Sequence, residues 1–276
     1  MSSPATIKVC TPKSLPGTDL FAAAKTAVEI NPANRPYVRP VTALLPAGTV
    51  TKEFISAMTT KYWKSGGVHL AVHFLDTDAA DLKARIISHM NAWSPGANIK
   101  FSESRSNDAE VRIARTPGDG YWSYLGTDIL HIAADQPTMN LDSFSMDTDE
   151  SEYKRVVRHE TGHTLGFPHE HLRREVVENI DPKKAIRYFL EADGWSAATT
   201  KAQVLTPLED SSLIATPTDT VSIMCYQLPG SIMRDGRPVP GGLDIDDQDR
   251  KFAQTLYPAK LVTTTHPVAK VAAHAH

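Results

Sequence analysis

The stretch that most constrains this chain is His159-Glu160-Thr161-Gly162-His163-Thr164-Leu165-Gly166-Phe167-Pro168-His169. Residues four apart on a helix share a face, so His159 and His163 can point at one metal ion. Val156, Val157, Thr164 and Leu165 fall where such a helix buries itself and holds its ligands rigidly. Gly162 is a poor helix former, tolerable where packing demands a small residue. Gly166 can adopt the left-handed conformation that ends a helix, and Pro168 forbids helical continuation. The chain therefore turns, and the turn can return His169 to the same ion. Three imidazoles leave a fourth position for water, the arrangement of a catalytic rather than a structural zinc. Glu160 stands beside the first ligand, where it can take that water's proton. The pattern predicts one Zn2+ per chain on His159, His163 and His169.

The remaining composition serves mainly to exclude. A chain of 276 residues can build one sizeable core, or two lobes flanking a cleft. A net charge of −3 carries no electrostatic footprint for nucleic acid. No apolar run approaches the roughly 18 residues that span a bilayer, so no membrane partner is expected. The N-terminus, Met-Ser-Ser-Pro-Ala-Thr-Ile-Lys, lacks the apolar segment of a secretory signal. The expectation is a cytoplasmic protein, or one exported by a non-classical route. Cys10 and Cys225 allow at most one disulfide.

Prolines at 4, 12, 16, 32, 36 and 40 punctuate the start of the chain around one helical stretch, Asp19 to Ile30. Residues 1–40 are read as an N-terminal extension or pro-like segment, 41–258 as the domain, and 259–276 as a flexible tail. Within the domain, Val68–Leu75 alternates as a strand does. An amphipathic helix follows from about Asp78, with Ala79, Leu82, Ile86, Met90 and Trp93 at helical spacing. Asn98–Ser102, Ala109–Arg115 and Asp128–Ala133 read as further strands. The fold class is α+β. The other histidines take ordinary readings. His69 and His73 lie about 13 Å apart along an extended strand and cannot share an ion. His89 reads as an exposed helix residue, His131 as a packing residue in a strand, and His266, His274 and His276 as solvated tail.

The stretch from His159 to His169 resembles the metzincin clan. His169-Glu170-His171-Leu172-Arg173 is similar to the continuation seen in the astacin family, and Ser222-Ile223-Met224-Cys225-Tyr226 to its Met-turn. Gly120-Tyr121-Trp122-Ser123-Tyr124-Leu125-Gly126 resembles the family's substrate-binding edge strand, and Asp244 to Tyr257 its C-terminal helix. The resemblance implies a zincin-like metallopeptidase fold. A mixed twisted sheet with helices would form an N-terminal lobe, an irregular C-terminal lobe would end in a helix, and zinc would lie in the cleft between them.

It also implies roles: zinc on His159, His163 and His169, Glu160 as general base, and Met224 as an apolar floor under the metal. Tyr226 would be a displaceable fourth protein ligand that swings to stabilise the oxyanion. Met233, in a second Ser-Ile-Met, lacks the following Tyr and is the weaker Met-turn candidate. Tyr121 stands where the family usually carries a cysteine, and the family disulfides are missing. Glu170, which supports the mature N-terminus in the family, here has Arg173 and Arg174 nearby in sequence.

The function expected is zinc-dependent endopeptidase action on peptide or protein substrates laid along the edge strand near Tyr121–Leu130. Arg234 and Arg237, after the Met-turn, are either lining for the pocket beyond the cut bond or a solvated loop. Two other functions stay open: a non-hydrolytic zinc-containing binding module, and a protease effector restricted to one target. Cys10 has three readings. It caps the zinc as part of an inhibitory pro-segment, it is a lone packed thiol, or it is disulfide-bonded to Cys225.

Overall fold

The helix expected near the N-terminus forms as α1 (Leu20–Ile30), which follows Asp19 and turns Ala23, Ala24 and Ala27 inward. The computed structural model describes residues 10–36, 56, 58–208 and 218–259 of the chain. α1 packs on the turn Gly126–His131. Just beyond it, the Asn34 amide donates to the carbonyls of Ala27 and Tyr62 at 2.8 and 2.7 Å. The described part of the N-terminal segment is therefore bonded to the body of the protein.

Val68, Leu70, Val72 and Phe74 point inward along β1 (Val68–Phe74). α2 (Ala80–Met90) lays Leu82, Ile86 and Met90 into the same core. β2 (Ile99–Glu103), β3 (Val111–Ala114), β4 (Tyr121–Ser123) and β5 (Met139–Leu141) complete a sheet of order β2-β1-β3-β5-β4. All pairings are parallel except β4 with β5, which is antiparallel. A parallel neighbour requires a crossover, and α2 supplies it between β1 and β2. Every position of central β3 is buried, as expected of a strand covered on both faces. β4 forms one edge.

Two sequence expectations fail here. Asp128–Ala133 is no strand: Asp128 to His131 belong to the 3-10 turn Gly126–His131, and Ile132 caps it. The Asp128 N–H donates to the Leu125 carbonyl at 3.0 Å and the Ile132 N–H to that of Ile129 at 3.3 Å. Such local bonds satisfy the backbone without a ladder. Asp128 is also drawn into a buried pair with Lys61, 3.3 Å away. His89 is not exposed but buried, its ring 5.1 Å from that of Tyr153. A helix packed between a sheet and another helix has little free face. His131 does pack, its Nε2 lying 3.0 Å from Thr26 Oγ1, but in the 3-10 turn. His69 and His73 go to separate partners, Asn98 and the Ser104 carbonyl.

From Glu150 the chain runs on helically through Glu150–Glu152, a π stretch Tyr153–Val157 and α3 (Arg158–Thr164). The second half is less irregular than expected. α4 (Pro182–Asp193) is opened by the Asp181 side chain, which accepts from the N–H groups of Lys183 and Lys184, and is closed at Gly194. That Asp-Pro start and Gly stop was a helix signature in plain view. Ala197–Thr200 and Lys201–Leu205 add another helical stretch. α5 (Asp247–Leu256) is the anticipated terminal helix, begun by a capping box between Asp246 and Asp249. The boundary placed near residue 40 and the tail histidines His266, His274 and His276 lie outside the described residues.

Candidate metal centre and active site

α3 is pinned at both ends by aromatic donors. The Trp93 indole N–H donates to the Arg158 carbonyl at 2.9 Å, and that of Trp63 to the Thr164 carbonyl at 2.8 Å. The Tyr257 hydroxyl donates to the Leu165 carbonyl at 2.6 Å. Buried indoles and phenols need such partners, and here the partners are the backbone of the helix that carries His159 and His163. Gly166, at φ 94°, then reverses the chain. The Phe167 N–H reaches back to the Gly162 carbonyl at 2.9 Å and the Gly166 N–H to that of His163 at 2.8 Å, a Schellman ending. Gly162 is small for another reason. A Cβ there would lie 2.3 Å from Met224 Sδ. Met224, not Met233, thus lies directly against the helix between His159 and His163.

The turn brings His169 to His159 and His163. Its Nε2 lies 3.1 Å from His159 Nε2 and 3.0 Å from His163 Nε2. The Nδ1 of His159 lies 2.6 Å from the Ile223 carbonyl, and that of His163 2.9 Å from the Phe167 carbonyl. A carbonyl only accepts, so each Nδ1 carries the proton and each Nε2 turns a lone pair to the centre. Zinc–nitrogen bonds of about 2.0–2.1 Å in a tetrahedron would set these nitrogens about 3.3 Å apart, so the donor set fits zinc. Burial lowers the pKa of His159 to about 4 and holds His163 and His169 well below the usual imidazole range. Neutral rings are what a cation needs.

Three further side chains face this point. Glu160 is fully buried, and burial raises its carboxyl to about 8. Its Oε1 has no hydrogen-bond partner among the described residues. Its Oε2 accepts from the Cys10 thiol at 3.4 Å. Ligand atoms of Cys10, His159, His163 and His169 all lie within 4.8 Å of one another, and all four residues are buried. Burial first, then the Glu160 carboxylate, push the Cys10 thiol well up. The Tyr226 ring stands 4.3 Å from that of His169, and its hydroxyl donates to the Cys10 carbonyl. Cys10 and Cys225 are both free thiols, so the disulfide reading is withdrawn.

The residues after Cys10 continue along β4. The Thr11 N–H donates to the Tyr121 carbonyl at 3.0 Å and the Lys13 N–H to that of Ser123 at 3.3 Å, with Lys13 bridging Tyr124 in parallel. An edge strand offers just such unpaired groups. The edge strand is shorter than expected, Tyr121–Ser123 rather than reaching Leu130, since the chain turns at Gly126.

Around the centre, Glu170 pairs with Arg173 through two contacts of 2.8 and 3.0 Å. The cleft beside Glu160 is lined by Tyr121, Arg155, Val156, Gln227 and Leu243 among others. Arg234 and Arg237 do not line it and sit exposed, Arg234 donating to the Glu178 carbonyl. The cation of the cleft is Arg155, one turn before His159, which the sequence reading passed over although its helical spacing was visible. Asp249 was also missed. It takes the Ser222 hydroxyl at 2.6 Å and the Ile223 N–H at 3.0 Å, bracing the loop that carries Met224.

Residues 56–230 match the family model of Astacin, a peptidase family. The chain is 34% identical over 181 residues to zinc metalloproteinase nas-27 of Caenorhabditis elegans. That match takes in 63% of this chain and 35% of the relative's own length. Among solved structures, one of myroilysin superposes with a TM-score of 0.67 at 29% identity, covering 73% of this chain and 97% of the other. A second myroilysin structure gives 0.54 at 30% identity, covering 72% and 86%.

Proposed function

The chain belongs to the astacin family of peptidases, which are zinc metalloendopeptidases, and we propose that it hydrolyses peptide bonds with Glu160 as general base and is held closed by Cys10. One observation carries this reading: three imidazole nitrogens and one thiol gather at a single buried point, and the thiol also meets Glu160. Bound by His159, His163 and His169, Zn2+ would polarise a scissile carbonyl and bring the pKa of water toward about 7.

The remaining chemistry belongs to the chain. Glu160 takes a proton from the attacking water and returns it to the leaving amine. Tyr226, once its hydroxyl leaves the Cys10 carbonyl, is a displaceable ligand and a donor to the oxyanion of the tetrahedral intermediate. Substrate backbone takes the β4 edge that Thr11 and Lys13 now hold. Residues 1–40 thereby act as a pro-segment: with zinc bound, the Cys10 thiol would give up its proton and take the position that water needs. A pure binding module would require neither Glu160 nor Tyr226.

The test compares full-length protein, Cys10→Ala and a chain starting at residue 41 against a peptide library, with and without phenanthroline. Full-length protein should be nearly silent and show a metal–sulfur distance near about 2.3 Å in X-ray absorption. The other two should cut, and the chelator should stop them. Cleavage of one sequence alone would favour a dedicated effector. Zinc-loaded protein that cuts nothing in any form would favour a binding module. Equal activity in all three forms would make Cys10 a bystander.

A further inference from the structure

The three-residue turn after His169 carries a second buried histidine that none of the chemistry above uses. His171 is completely buried. Its ring lies parallel to that of Tyr226, centroids 3.9 Å apart and planes at 21°, whereas His169 meets the same phenol at 57°. Both ring nitrogens of His171 are spoken for. Nε2 lies 2.8 Å from the Gln203 carbonyl, which only accepts, so Nε2 carries a proton. Nδ1 takes the Tyr226 backbone N–H at 3.4 Å, so it presents its lone pair. The imidazole is thus fixed in tautomer and plane by Lys201–Leu205 on one side and by Tyr226 itself on the other. The turn is further tied to the Met-turn, where the Glu170 N–H donates to the Met224 carbonyl at 2.9 Å.

We propose that His171 is the positioning residue of Tyr226, a flat support on which the phenol turns between the Cys10 carbonyl and the reacting carbonyl. The proposal rests on the role given to Tyr226 above. A hydroxyl that must exchange partners without losing its place needs a ring confined to one plane, and offset aromatic stacking does that while leaving rotation in the plane cheap. Met224 could not serve, since its flexible thioether presents no plane. Gln203 would therefore influence Tyr226 without touching it, because its carbonyl sets the tilt of the imidazole.

The experiment uses the full chain with Tyr226→Phe, His171→Leu, His171→Phe and the double variant His171→Leu/Tyr226→Phe. Turnover and KM are measured in a Cys10→Ala background, zinc content by metal analysis, and Tyr226 ring motion by NMR of 13C-labelled tyrosine in the unaltered background. The signal missing from Tyr226→Phe identifies the ring. The expected result for His171→Leu is a kcat about tenfold lower, KM within about threefold, zinc still one per chain and a ring that flips faster. His171→Phe, which keeps a flat face, should recover most of the turnover and the slow flip. Adding His171→Leu to Tyr226→Phe should cost nothing further. The proposal is overturned if His171→Leu costs as much in the Tyr226→Phe background as alone, if it loses zinc, or if its Tyr226 ring motion is unchanged. A normal rate in Tyr226→Phe would instead sink the role of Tyr226, a separate failure. Should His171→Leu not fold, the same comparison made with His171→Gln, which retains a donor for Gln203 but no flat ring, decides the matter.

Discussion

The two lobes that meet across the cleft are held together by different means. The N-terminal lobe is a five-stranded sheet with α2 and α3 packed on one continuous apolar core, which also takes in Ile223, Met224, Ile245, Ala253 and Tyr257 from the C-terminal half. The C-terminal lobe has a smaller core, around Val176, Ile180, Phe189, Leu228 and Ile232, and isolated bridges instead of a sheet. Its loops are braced by single polar groups: Asp249 under Ser222 and Ile223, Arg173 on Glu170, His171 between Gln203 and Tyr226. Distributed apolar packing tolerates small losses, while a brace made by one side chain fails with that side chain. The lobe built of strands and helices carries His159, Glu160 and His163. The braced lobe brings Met224 and Tyr226 against them.

The largest effect should come from separating metal binding from chemistry on the rigid side. His163→Ala should lose zinc and all turnover. Glu160→Gln should keep zinc and lose at least about 100-fold in turnover, read by metal analysis beside peptide cleavage. Equal loss of metal in both would make Glu160 a structural residue and blur the division between the lobes.

A smaller effect tests a brace. Burial raises the Asp249 carboxyl from 3.8 to about 6. A raised folded-state pKa means that the native protein binds this proton more tightly than the unfolded chain does. The contribution of Asp249 is therefore complete below about pH 4 and is lost as pH rises through about 6. The stability difference between wild type and Asp249→Asn should shift by up to about 3 kcal/mol in favour of the variant between about pH 4 and pH 7. Denaturant unfolding at the two pH values measures it. A constant difference would mean that Asp249 is not the buried brace described.

The smallest effect lies where the lobes touch. Gly162→Ala gains about 1 kcal/mol of helix propensity, but its methyl would meet Met224 Sδ. Overpacking costs about 1–3 kcal/mol, so a net loss of about 1 kcal/mol is expected. In a Met224→Ala background only the Trp93 ring, 3.3 Å from that Cβ, stays close, so the loss should shrink or reverse. An undiminished loss in unfolding experiments would show that Met224 is not what the methyl meets.

The contrast between the lobes also explains which features were legible beforehand. β1 was read to within one residue and α2 to within about three, because helical and alternating periodicities report on which local face is buried. α4 had equally local signals at Asp181, Pro182 and Gly194, and was simply passed over. Asp128 to Ala133 misled because an apolar run describes burial, not whether backbone groups are satisfied by a ladder or by their own neighbours.

The three converging histidines are local too. His159, His163 and His169 stand at spacings that one helix and one turn translate directly into convergence, so the sequence by itself determined their meeting point and the place of Glu160 beside it. It could only raise Cys10 as a candidate. Bringing Cys10 within 3.4 Å of Glu160, across 150 residues, is the work of β4's free edge and of α1 anchored on the turn at Gly126–His131. The stacking of His171 on Tyr226 and the contact of Gly162 with Met224 likewise join segments far apart in the chain. Spacing encodes only what a few bonds of backbone can bring together. Contacts between distant segments are decided by how the two lobes pack, and no local period records that.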